Sequence, residues 1–114
     1  LDQALPADVF IRTDTSFVRL APKDILYVEV KGHHCIYHTL NGEYRQYQTM
    51  KSAESALSGQ CFVRCNNFLL VNLTHVDRIE GMTAYVGGSA LQISHPRRKA
   101  FSEAFSQYMG GTKP

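Results

Sequence analysis

The sequence predicts a mainly β domain: short antiparallel strands in small sheets, with two short helices. Three observations predict it. β-Branched and aromatic residues gather in short runs, each bounded by Gly, Pro, Asn, Asp or Ser. Tight-turn signals, Asn41-Gly42 and Gly87-Gly88-Ser89, lie between such runs. Only two stretches space their apolar residues at the helical period.

The elements follow in order. Val9-Phe10-Ile11-Arg12-Thr13 reads as a strand, Asp14-Thr15-Ser16 as a turn and Phe17-Val18-Arg19-Leu20 as a second strand. Pro22 interrupts, and Asp24 can start a turn. Ile25 to Val30 is a strand of mixed periodicity, expected to be covered on both faces. Lys31-Gly32-His33 connects it to a strand from His34 to Leu40. Asn41-Gly42 is the strongest hairpin signal, because both central residues of a type I′ turn need positive φ. The return strand runs from Glu43 to Gln48, where Tyr44 and Tyr47 break the alternation and point to a bulge or twist.

Thr49 can cap a helix of about nine residues on which Met50, Ala53 and Leu57 share a face and which Gly59 ends. Phe62-Val63-Arg64 and Phe68 to Leu73 follow as strand segments, split by Asn66-Asn67. His75 to Glu80 is a further short strand, Gly81 a turn, and Ala84-Tyr85-Val86 with Leu91-Gln92-Ile93 another hairpin. The last element is helical, with Ser94 as N-cap and Pro96 in the first turn. Phe101, Phe105 and Tyr108 form a stripe expected to dock on the sheet. The expected boundaries are a linker remnant over 1–7, a domain over 8–109 and a flexible tail over 110–114.

Composition bounds the function classes. At 114 residues, 44% hydrophobic and 19% charged, the chain is globular, long enough to bury a real core and too short for two domains of ordinary size. No apolar run reaches the roughly 18 residues of a membrane span, and no signal peptide is visible. Cys35, Cys61 and Cys65 cannot all pair within one chain, which points to a reducing compartment. Net charge is +2, split as −1 over residues 1–60 and +3 over 61–114. The densest basic stretch is His95-Pro96-Arg97-Arg98-Lys99, a weak sign of a polyanionic partner.

Catalytic and metal chemistry are poorly supported. His33, His34, Cys35 and His38 cluster, but Cys35 and His38 are three apart on a strand and point to opposite faces. No paired Cys-x-x-Cys, Gly-x-Ser-x-Gly elbow or Gly-rich phosphate loop is present. The expectation is a non-enzyme without cofactor or metal. Three polar segments do suit nucleic acid, base edges and phosphates alike: Lys31-Gly32-His33-His34, Asn66-Asn67 and Ser94 to Lys99. Asn matches the donor and acceptor pattern of adenine, Arg matches guanine O6 and N7, and His can donate to N7 or phosphate. Cations at a helix N-terminus oppose the macrodipole, which favours an external anion there.

The ordered segments resemble LytTR-type DNA-binding domains. Asp24 to Glu29, Lys31-Gly32-His33 and Ile36 to Gly42 resemble the family's opening, and Thr49 to Leu57 its short helix. Phe62-Val63-Arg64-Cys65-Asn66-Asn67 with Leu70-Val71-Asn72-Leu73 resembles the "FxRxHRSxxVN" signature. Ile79 and Leu91-Gln92-Ile93-Ser94 resemble later positions, so the likeness spans residues 8–108. The resemblance implies the cytoplasmic output domain of a bacterial transcription regulator of the two-component, response-regulator kind, joined to an N-terminal receiver or sensor. It implies loops entering successive major grooves of bent double-stranded DNA, at direct repeats bound by two domains. Carried over, His33 and Asn67 match base-contacting positions. The third such position falls on Pro96, so its role passes to Arg97 or Arg98. Lys31, His34, Asn66 and Lys99 are candidates on the phosphate side. Phe68 stands where the signature has a hydroxyl residue, so base preference is expected to differ. The competing readings are a protein-interaction module or a Cys/His metal- or redox-sensing module on the same fold, including oxidation of Cys65.

Overall fold

The computed structural model describes residues 7–110. The expected linker lies outside the described residues except for Ala7, and of the expected tail only Gly110 is described, as the last residue of a helix. Two strands come first, β1 (Val9–Arg12) and β2 (Phe17–Leu20), followed by β3 (Ile25–Lys31), β4 (His34–Thr39) and β5 (Gly42–Tyr47). Helix α1 (Met50–Ala56) leads into β6 (Phe62–Asn66) and β7 (Leu69–Asn72). Then come β8 (Val76–Glu80), β9 (Thr83–Val86), β10 (Ser89–Gln92) and α2 (Arg98–Gly110). Short 3-10 turns at Pro22–Asp24, Leu73–His75 and His95–Arg97 link them.

All strand pairing is antiparallel. The centre is a five-stranded sheet of order β5-β4-β3-β7-β6. Its two faces serve two cores, because successive strand residues point to opposite sides. Val28, Tyr37 and Leu70 join Ile11 and Leu20 of the β1–β2 hairpin and Met50, Ala53 and Leu57 of the α1 segment. Tyr27, Cys65 and Val71 pack instead with Ala84 and Val86 of β9, with Leu91 of β10 and Ile93 just after it, and with Phe101 of α2. The expectation that β3 is covered on both faces is met: Ile25, Tyr27 and Val28 are all buried.

Asn72 ties the layers at the far end of β7. It is 1% exposed. Its Nδ2 donates to the carbonyls of Pro22 (3.2 Å) and Ile25 (2.8 Å), and its Oδ1 accepts from the backbone N–H (3.0 Å) and hydroxyl (2.7 Å) of Thr74. The whole side-chain amide is thereby satisfied in a buried place.

Several sequence expectations shift. The β4–β5 turn is Leu40-Asn41, because Thr39 pairs with Gly42. Neither turn residue has positive φ, so the turn is not type I′. Thr39 closes it one residue early: its hydroxyl accepts from the Asn41 N–H (3.1 Å) and donates to the Gly42 carbonyl (2.7 Å). Gly42, at φ +129°, absorbs the bend as the strand restarts. The β4–β5 register is continuous, and the irregularities fall between Ile25 and Tyr27, Arg64 and Asn66, and Val76 and Arg78. Tyr44 and Tyr47 therefore take opposite faces without a bulge, and Tyr47 stays exposed.

Thr49 caps α1 as expected, accepting from the Ser52 N–H at 3.1 Å. Ser94 makes no such bond; it precedes the 3-10 turn, and α2 starts only at Arg98. Phe101 is buried, with Ala104 and Phe105 packed beside it. Tyr108 does not dock, being 45% exposed, because the buried stripe covers little more than one helical turn.

Candidate nucleic-acid interface

The three polar segments come from distant parts of the chain and meet at one end of the central sheet. Gly32-His33 is the turn between β3 and β4, and Asn67-Phe68 the turn between β6 and β7. β3 and β7 are antiparallel neighbours, so the end of one lies beside the start of the other: Glu29 pairs with Leu69, and the Val30 N–H donates to the Phe68 carbonyl at 2.9 Å. The third segment docks on β6. The Ser94 N–H donates to the Cys65 carbonyl (2.8 Å), which holds the His95–Arg97 turn beside the β6–β7 tip.

Gly32 makes the first turn possible. Its φ is +59°, a left-handed conformation that side chains rarely take, although a Cβ there would meet nothing within 4 Å. The constraint is conformational, not steric crowding. Lys31 and His33 are exposed and His34 is half-buried. Both imidazoles lie by Tyr47, with ring centroids 5.9 Å away for His33 and 5.6 Å, edge-on, for His34. The Gln48 N–H donates to the His33 carbonyl at 3.0 Å and pins the turn to β5.

In the second turn the two asparagines divide the work. Asn66 is an internal brace: its Oδ1 accepts from the Phe68 N–H (2.7 Å) and its Nδ2 donates to the Gln92 carbonyl (2.7 Å). Asn67 at the tip is exposed, and an Nη2 of Arg97 approaches its Oδ1 at 3.4 Å. The two arginines offered by the sequence separate in the same way. Arg97 turns toward Asn67. Arg98 turns away, its Nε donating to the Gly81 carbonyl (2.8 Å) and its Nη1 bonding the Ser102 hydroxyl. Lys99 is exposed.

A cleft next to the first turn was not legible in the sequence. Arg12 and the turn after it line it from the β1–β2 hairpin, Arg45 and Gln46 from β5, and His34 and Tyr47 complete it. Asp14 is the acidic residue in that lining. The Arg12 N–H donates to Gln46 Oε1 at 2.8 Å, which holds the hairpin against β5. Arg12 and Arg45 are 33 residues apart, carry no shared motif and lie in different sheets, so only the packing of the β1–β2 hairpin against β5 brings them together.

The thiols stay out of this surface. Cys65 is fully buried, its Sγ donating to the Gln92 carbonyl at 3.4 Å. Burial pushes its pKa up to about 11, against a smaller lowering by backbone hydrogen bonding and by Arg97. Burial raises Cys35 to about 11 as well. Both thiols are therefore neutral and shielded near pH 7, which removes the physical basis for oxidation of Cys65 as a switch. Cys61 is the exposed thiol. The metal-module reading fares no better. His38 is stacked on Tyr27 (centroids 4.2 Å apart) and lies between Glu29 and Glu43 at 2.9 and 3.3 Å. Among the described residues no three His, Cys, Asp or Glu side chains stand together in a ligand set.

A family model described as the LytTr DNA-binding domain matches residues 15–106. The chain belongs to the LytTr DNA-binding domain family. Among solved structures it is similar to the LytTr DNA-binding domain of a protein described as a putative methyl-accepting/DNA response regulator from Bacillus cereus. The match has a TM-score of 0.69 at 17% identity and covers 90% of this chain and 96% of that one. At that identity the likeness establishes the fold of small antiparallel sheets with two helices. Comparison with curated protein sequences finds no match. LytTr domains are defined by DNA binding and not by catalysis. The family-model match begins at residue 15, so β1 and Arg12 of the basic cleft lie before the residues it matches. No helix among the described residues is long and apolar enough to cross a membrane.

Proposed function

We propose that this LytTr domain reads double-stranded DNA sequence-specifically, as the cytoplasmic output part of a bacterial transcription regulator. The observation that carries the reading is the convergence of three remote polar segments on one end of a rigid sheet, two of them with exposed tips. His33, Asn67 and Arg97 face base edges in this reading. Asn67 offers adenine its paired donor and acceptor, and Arg97 offers guanine a bidentate fork. Lys31, His34 and Lys99 take phosphates, which position the domain without reading sequence. Asn66 and Arg98 act one step back, bracing the tip and the start of α2 through the bonds described above.

Turns, not a helix, do the reading. The apolar face of α1 is committed to one core and Phe101 of α2 to the other. The two exposed turns enter successive major grooves, and bending the duplex lets both engage at once. Two domains on direct repeats complete the proposed complex, each joined to a receiver or sensor domain. Asn67 and Arg97, side by side at the β6–β7 tip, support this reading over a protein-interaction module, since amide and guanidinium groups match base edges.

The test is a titration of a labelled duplex pool with the domain, followed by fluorescence anisotropy from about 0.05 to 0.2 M salt. The expected result is saturable binding that weakens steeply as salt rises, because each neutralised phosphate releases counterions. No binding at the lowest salt would contradict the reading.

A further inference from the structure

The β6–β7 tip carries a side chain that phosphate chemistry does not explain. Phe68 is 63% exposed, beside Asn67. Its backbone is held on both sides: its N–H donates to Asn66 Oδ1 (2.7 Å) and its carbonyl accepts from the Val30 N–H (2.9 Å). The root of the ring is fixed while the ring meets water. The ring, Pro96 and Ala100 form the apolar side of a shallow groove whose polar side includes Asn67 and Arg97.

A large aromatic exposed at a tip loses the free energy that its burial would contribute. Phe68 is left mostly uncovered by the rest of the chain. The base edges of the major groove present hydrogen-bond donors and acceptors, with one apolar group among them, the C5-methyl of thymine. A mixed surface with an aromatic ring beside an amide and a guanidinium therefore matches a base step that shows a methyl beside polar edges. We propose that Phe68 is a specificity-determining residue that packs on a thymine C5-methyl next to the base pair touched by Asn67. The inference rests on the DNA-reading function proposed above and adds a base preference to it.

Replacing thymine by deoxyuridine removes the methyl and nothing else. The probe is a duplex enriched from a random pool by the intact domain, resynthesised with each thymine changed singly to deoxyuridine. The expected result is a loss of about three- to five-fold at one or two positions, as for one buried methyl, and little change elsewhere. Phe68→Ala is expected to bind the thymine and deoxyuridine duplexes equally, and Phe68→Leu to keep part of the preference. Phe68 is exposed, so melting curves of both variants should match the parent. Deoxyuridine that is neutral at every position, or a preference that survives Phe68→Ala, would overturn the inference while leaving DNA reading intact. A uniform loss in Phe68→Ala on both duplexes would overturn it in favour of ring insertion between base pairs. Failure to enrich any duplex would overturn the underlying function as well.

Discussion

Neighbouring residues of the same type do different work here, and hydrogen bonding separates them. Asn66 is committed to the Phe68 N–H and the Gln92 carbonyl, whereas Asn67 keeps its amide exposed. Arg98 is tied to Gly81 and Ser102, whereas Arg97 reaches the tip. Asn67→Ala and Arg97→Ala are therefore expected to cost about 1–3 kcal/mol each on the preferred duplex and to relax the preference at one position. Arg98→Ala is expected to lower the melting temperature instead and to leave base preference unchanged. Binding curves on the preferred duplex and on single-base variants distinguish the two outcomes. Residue types and spacing identify His33, Asn67 and the arginine pair as candidates. They do not separate Asn66 from Asn67 or Arg97 from Arg98, because the partners that decide (Gln92, Gly81) are 26 and 17 residues away.

Among the elements, the strands are readable from their composition and the hairpin connections from their glycines. The β4–β5 turn falls one residue away from its expected place because a side-chain hydroxyl, that of Thr39, competes with the Asn-Gly preference. The docked stripe of α2 stops short of Tyr108, since helical spacing says nothing of where the supporting sheet ends. The basic cleft is invisible in the sequence for the same reason: Arg12, His34 and Arg45 come from three strands. In the proposed complex, its place beside the Gly32-His33 turn makes it a flank for the DNA backbone. Arg12→Ala or Arg45→Ala is expected to weaken binding equally on all duplexes. The slope of log K against log salt should become shallower by about 0.9 for each phosphate that the variant no longer neutralises. A weakening confined to one sequence would contradict a phosphate role.

For the molecule as a whole, two cores on opposite faces of one sheet support the turns proposed to read DNA. Rigid support of this kind keeps a binding constellation within the tolerance that hydrogen bonding demands. Asn72 is the polar joint of that support. Asn72→Ala would remove the side-chain donor to the Ile25 carbonyl and one of the two donors to the Pro22 carbonyl, which the Ile25 N–H also reaches. It is expected to cost about 2–4 kcal/mol of stability, read by denaturant unfolding. An unchanged midpoint would contradict that structural role.

The central claim is that turns converging at one end of the sheet read bases. Selection from a randomised duplex pool at about 0.15 M salt tests it most directly. The expected result is an enriched motif, repeated at about one helical turn, in which adenine, guanine and thymine fall where Asn67, Arg97 and Phe68 reach. Binding that depends on salt alone and enriches no sequence would contradict it.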